Sequence, residues 1–174
     1  LESIGAVASL VATPLQVAGG LESPEGIRIA FAAGATRAVI SLALVDEPER
    51  LAACIAAAGD WLAVGFDPRP ERIASFDWKR STVPTAEVLI DDLAAAGVSR
   101  IVLSHGGNAS ESAAFAALAA RQPGMELSVA GGVNDLDGVR RLRDVGVATL
   151  ILGEALFSGA VDFEEASRIA DPAQ

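Results

Sequence analysis

Two glycine pairs stand at matching places in the sequence, Gly19-Gly20 in QVAGGLESPEG and Gly131-Gly132 in SVAGGVNDLDG. Each follows a short apolar run and precedes an amphipathic stretch. Residues without side chains at such a junction let backbone N–H groups converge on a phosphate, and a tight turn without a ligand is the plain alternative. Two pairs in related positions favour phosphate, and two such sites suit a long substrate phosphorylated at both ends. Ser41 closes the apolar run beside the first pair, and Gly153-Glu154 closes the run beside the second. Asp67, in VGFDPR, directly follows another run, where a carboxylate can act as an acid or a base or be a solvated loop residue. His105, the only histidine, follows Ser104 at a further run end and either transfers protons or is a plain loop histidine beside glycines. Trp78, in FDWKRS, can stack on a planar substrate or cover the mouth of a site.

These residues need strands and helices to place them. Six apolar runs, Leu15–Ala18, Arg37–Ser41, Trp61–Phe66, Arg100–Ser104, Glu126–Ala130 and Thr149–Leu152, read as strands covered on both faces. The run Ile4–Val17 is read as a helix followed by the first of these strands. Alanine-rich amphipathic stretches between the strands predict helices near 24–33, 47–58, 85–96, 110–121 and 135–145. Ser23 before Pro24, Ser110 and Asn134 are candidate helix caps, and Gly34, Gly97 and Gly146 are candidate stops. Trp61 is expected to start a strand and pack at the floor of the fold.

Strict β/α alternation means a parallel sheet, either open or closed into a (β/α)8 barrel. The QVAGG and SVAGG segments are 112 residues apart. At roughly 28 residues per βα unit this spacing is four units, half of a barrel. The fold class is therefore α/β, a (β/α)8 TIM barrel with a half-barrel internal repeat. On this count residues 1–174 form a single barrel domain of units three to eight, and the first two units are lacking.

The net charge of −10 argues against nucleic acid and against a polybasic membrane contact. The short run Ile4–Val17 lacks a basic flank and is too short to span a bilayer. The one cysteine, Cys54, sits among alanines as an inert buried thiol and fits a reducing cytoplasm. There is no Cys/His metal spacing, no Gly-x-Ser-x-Gly and no P-loop, so no metal and no cofactor are implied. A cytoplasmic monomer acting on a small phosphorylated molecule is the expectation.

The chain resembles the phosphoribosyl isomerase and cyclase barrels of histidine biosynthesis throughout. LQVAGGLESPEGIRIAFAAGATRAVISLALVDEP is similar to their third and fourth units, WLAVGFDPR to their fifth strand, and ELSVAGGVNDLDGVRRLRDVGVATLILGEALFSG to their seventh and eighth units. Asp67-Pro68-Arg69 and Trp78 resemble the isomerase branch, including its dual-substrate histidine/tryptophan members. The resemblance implies a cofactor-independent Amadori rearrangement of an aminoaldose phosphate to an aminoketose phosphate. It makes Asp67 the general acid, with Arg69 and Trp78 at the substrate, and its general base is an aspartate ending the first strand. Three places depart from the family pattern: Ser104-His105-Gly106-Gly107, with His105 where an aspartate is usual, Gly153-Glu154-Ala155, and Ser41-Leu42. They keep open a diverged, non-catalytic phosphate-binding paralogue or scaffold. A cyclase subunit of the same family is the third reading, disfavoured by Asp67-Pro68-Arg69.

Overall fold

A computed structural model describes residues 2–104 and 109–170, the side chains of 109–112 excepted. Helix α1 (Glu2–Ala8) leads to strand β1 (Gln16–Ala18), α2 (Pro24–Ala32) and β2 (Arg37–Ser41). A 3-10 turn (Leu42–Asp46), α3 (Pro48–Ala58) and a second 3-10 turn (Gly59–Trp61) precede β3 (Leu62–Phe66). Then come α4 (Pro70–Ile73), α5 (Ala86–Ala95), β4 (Arg100–Ser104), α6 (Ala109–Arg121) and β5 (Glu126–Ala130). The series ends with α7 (Leu136–Asp144), β6 (Thr149–Ile151), α8 (Glu154–Phe157) and α9 (Phe163–Ala170). This is the alternating α/β class that the apolar runs predict, with each of the six strands within a residue of its expected span.

The chain divides into two compact units, one running to Ile101 and the other starting at Val102. In the first, β1, β2 and β3 are neighbours and parallel, with Gln16 opposite Arg37 and Ala38 opposite Leu62. Helices α2 and α3 pack on one another and bury Ile27, Ala30, Leu51, Cys54 and Ala58. Helix α5 contributes Leu89, Ile90 and Leu93 to the core. In the second unit β5 and β6 are parallel, with Ser128 opposite Thr149. Its core holds Phe115, Leu118, Leu127, Val129, Val139 and Leu142. Burying an aliphatic side chain of this size is worth about 1.5–3 kcal/mol, so the apolar strands and helix faces dominate the stability of each unit.

The internal repeat is present in the local geometry. The β1–β2 and β5–β6 pairs share one register, since Gln16 and Ser128, and Arg37 and Thr149, correspond in the repeat. Ser23 caps α2 by accepting from the Gly26 N–H at 3.1 Å, and Asp135 caps α7 by accepting from the Gly138 N–H at 2.6 Å. Gly34 and Gly146 end those helices at φ of 104° and 87°. The chain then enters the next strand through Thr36 N–H to Leu15 O at 2.7 Å and Ala148 N–H to Leu127 O at 2.9 Å.

Three local expectations are corrected. The cap of α7 is Asp135 rather than Asn134, because the carboxylate one residue later lies within reach of the Gly138 N–H. Helix α6 already includes Ala109, which places Ser110 inside its first turn instead of at its cap. Trp61 belongs to the 3-10 turn before β3 and is 51% exposed, so it does not pack as a floor residue.

Candidate active site

Parallel strands bring the residues that follow them to one end of each unit. In the first unit the glycine pair follows β1, with φ of 99° at Gly19 and 69° at Gly20. An added Cβ at either glycine would meet nothing within 4 Å, so these residues are glycine because of backbone conformation rather than crowding. Ala18 faces Val39 in the β1–β2 ladder, and continuing that register sets Gly20 level with Ser41. The Ser41 hydroxyl oxygen accepts from the Ala43 N–H at 3.3 Å and so starts the 3-10 turn. A hydroxyl engaged as acceptor keeps its O–H free to donate.

Asp67 follows β3 directly and its side chain is 13% exposed. Arg69 grips the carboxylate. Its Nε donates to Oδ1 at 2.9 Å and to Oδ2 at 3.1 Å, and its Nη2 donates to Oδ2 at 2.6 Å. The Arg69 backbone N–H adds a bond to Oδ1 at 3.1 Å, and Arg72 Nε stands 3.7 Å from Oδ2. All of these contacts suit an ionised, acceptor-only carboxylate. Proton donation from Asp67 therefore requires Arg69 to turn aside.

The loop between α4 and α5 carries Trp78, half-buried. Its indole N–H donates to Ile73 O at 2.8 Å, and its ring lies 5.8 Å from Phe76 with a 50° tilt. The Arg80 guanidinium carbon sits 5.6 Å over the same ring, an attractive arrangement for a cation on a π face. Arg80 also donates to Asp46 through Nε and to Asp92 through Nη1. The bond to Asp46 is the main reason the guanidinium is held even more firmly protonated than usual. The Lys79 backbone N–H donates to Asp46 at 2.9 Å, and its ammonium reaches Glu47 at 3.2 Å. Arg50 donates to Glu47 at 3.1 Å and to the Glu22 carbonyl at 2.7 Å. The bonds from Arg50 and then Lys79 keep the Glu47 carboxyl below the ordinary range. These contacts run from the loop after β1, through the turn after β2, to the loop after β3.

In the second unit, Gly131 and Gly132 follow β5 with φ of 82° and 72°. The Gly131 N–H donates to Ile151 O at 3.3 Å, which extends the β5–β6 ladder by one bond. Ala130 faces Ile151, and the continued register sets Gly132 level with Gly153, as Gly20 is with Ser41. Gly131, Gly132, Asn134, Gly153 and Glu154 line a cavity of about 90 Å³. Its volume suits a small anion, and with the Gly131 N–H engaged by Ile151, Gly132 and Gly153 are its candidate backbone donors. The exposed Glu154 brings a carboxylate to the same cavity, and like charge there opposes an anion.

Each glycine pair thus stands level with its partner strand end. Ser104 ends β4 with an exposed side chain, and His105 lies outside the described residues. No group of three metal-binding side chains occurs among the described residues, and no described helix is long and apolar enough to cross a membrane. Sequence reasoning missed the ionic chain through Asp46, Arg80 and Asp92, whose members are far apart along the sequence. It had a usable signal for Asp135, which occupies the repeat position of Ser23.

A family model described as histidine biosynthesis protein matches residues 1–162. A relative from Roseiflexus castenholzii is 35% identical over 168 residues, covering 94% of this chain and 70% of the relative. One from Chloroflexus aggregans is 32% identical over 178 residues, covering 99% and 73%. One from Moorella thermoacetica is 30% identical over 177 residues, covering 98% and 73%. All three relatives are named 1-(5-phosphoribosyl)-5-((5-phosphoribosylamino)methylideneamino)imidazole-4-carboxamide isomerase.

Proposed function

The chain belongs to the histidine biosynthesis protein family, and from that premise we propose that it is an aldose–ketose isomerase acting on the bis-phosphorylated imidazole carboxamide named for its relatives. The observation that carries this reading is the duplicated arrangement of a glycine pair level with a neighbouring strand end. It supplies one phosphate subsite in each unit, Gly19, Gly20 and Ser41 in the first and Gly131, Gly132 and Gly153 in the second. The six strands belong, on this proposal, to an eight-stranded barrel.

In the proposed reaction Asp67, once protonated and released from Arg69, donates its proton to the ribose ring oxygen. The C1′–O bond breaks and the sugar opens to a Schiff base. A general base removes the C2′ proton, the electron pair moves to give an enolamine, and tautomerisation leaves the C2′ ketone. The family resemblance assigns that base to an aspartate on a βα unit other than these six. Trp78 offers a flat face to the imidazole carboxamide, and Arg69, on leaving Asp67, can meet a phosphate. No cofactor takes part.

The test joins this chain to the part of the Roseiflexus relative that lies outside the matched 70% and follows conversion of aminoaldose to aminoketose. Turnover that disappears in Asp67→Asn supports the reading. A folded chimera that binds phosphate but converts nothing would overturn it in favour of a non-catalytic phosphate-binding protein or scaffold, since the carboxylate of Glu154 at the second subsite opposes the second phosphate of the isomerase substrate.

A further inference from the structure

We propose that Arg80 is a positioning residue that fixes Trp78 over the strand ends of the first unit by clamping its loop between Asp46 and Asp92. The Trp78 indole donates to the carbonyl of Ile73 at the end of α4, its backbone N–H donates to Phe76 O at 3.1 Å, and its ring neighbour is Phe76 again. Those described contacts join the loop to α4 and do not tie it to the turn after β2 or to α5. The ties come from the next two residues. Arg80 spans two acceptors on different elements, Asp46 at the end of the turn after β2 and Asp92 in the middle of α5. Its guanidinium simultaneously covers one face of the Trp78 ring. Lys79 repeats the direction of the first tie, with its N–H on Asp46 and its ammonium on Glu47.

Geometry suits arginine and not lysine at position 80. A planar fork can address two carboxylates and still lie flat on an indole, whereas an ammonium is a point charge. The two ties differ in strength. The Asp46 side chain is 8% exposed and accepts two bonds from the loop, whereas Asp92 is 40% exposed and accepts one described bond. Exposed pairs are screened by salt and contribute little, so the Asp46 tie dominates. The consequence for substrate rests on the isomerase reading, in which Trp78 faces the imidazole carboxamide. The clamp itself does not, and its test needs no turnover.

The experiment uses Trp61→Phe so that Trp78 is the sole tryptophan, and reads its fluorescence quenching by acrylamide, with circular dichroism to confirm folding. Arg80→Gln should raise the quenching constant by about a factor of two as the ring loses its cover and the loop opens locally. Asp46→Asn should reproduce most of that rise, Asp92→Asn less, and Arg80→Lys should restore part of it. In the Trp61→Phe parent, 1 M salt shrinks the screening length to about 3 Å and should raise quenching slightly, by weakening mainly the exposed Asp92 tie, while the Arg80→Gln protein should not respond. Unchanged quenching in a folded Arg80→Gln protein would overturn the proposal. If Arg80→Gln fails to fold, unchanged quenching both in Asp46→Asn and in the parent at high salt would overturn it equally.

Discussion

Replacing Gly131 by alanine isolates the backbone contribution of the glycine pair. Gly131 has φ of 82°, and an added Cβ would meet no atom within 4 Å, so crowding adds nothing to the cost. The cost is then the conformational one, about 1–2 kcal/mol for an L-residue held at positive φ. A difference of 1 kcal/mol moves the midpoint by about 2–4 °C in a protein of this size, so the melting temperature should fall by about 2–8 °C. Gly19 is the repeat counterpart at φ of 99°, further from the left-handed minimum near 57°, and Gly19→Ala should cost at least as much. Asparagine, which tolerates positive φ better, should be milder than alanine at Gly131. Thermal melts followed by circular dichroism measure all three. Because Gly131 lines the second cavity, calorimetry should also show weaker phosphate binding in Gly131→Ala beyond any loss of folded protein. An unchanged melting temperature would refute the strain argument, and a loss above about 4 kcal/mol would show a steric clash that the open surroundings exclude.

In the chimera with the Roseiflexus relative, Asp67→Asn should lower turnover by at least about 100-fold with little change in substrate affinity, as steady-state kinetics would show. If Asp67→Asn remains active while His105→Ala is inactive, proton transfer belongs to His105. Glu154→Arg should tighten phosphate binding measured by calorimetry, and unchanged affinity would show that the Glu154 carboxylate points away from the cavity. Burial pushes the Cys54 thiol above its ordinary value near 9. The unfolded thiol then ionises first, so this contribution to stability is complete below about pH 9 and is lost as pH rises beyond it. Denaturant titrations should show a smaller decline above pH 9 in Cys54→Ala, and a thiol reagent should label the native protein only slowly.

The strands were legible because their apolar runs are nearly continuous, which is what two covered faces require. The glycine stops at Gly34, Gly97 and Gly146 were legible for a similar reason, since a helix end at positive φ favours one residue type. Asn134 was named as a cap by residue type alone, but Asp135 caps as well, and only the distance to the Gly138 N–H separates them. Trp61 was misplaced because a bulky apolar residue at a strand start looks the same to a pattern whether it turns inward or outward. The grip of Arg69 on Asp67 is local, within two residues, yet charge spacing alone does not say whether the two side chains meet. Arg80 lies 34 residues from Asp46 and 12 from Asp92, so their meeting depends on the tertiary arrangement of β2, β3 and α5. The placement of Ser41, Gly153 and Glu154 at strand ends followed from the repeat, whereas the volume they enclose did not.

The outer members of the two described ladders, β1 and β6, are only three residues long, and among the described residues each has a strand partner on one side. Neither carries a charged side chain of the kind that discourages further strand addition. Their brevity limits how many backbone groups they offer another chain, and the surplus of negative charge keeps copies of the protein apart. That second safeguard fades toward pH 4.5, where the charges balance. Light scattering across an acid titration should therefore detect clustering while the fold is still intact, and added salt should bring its onset closer to neutrality.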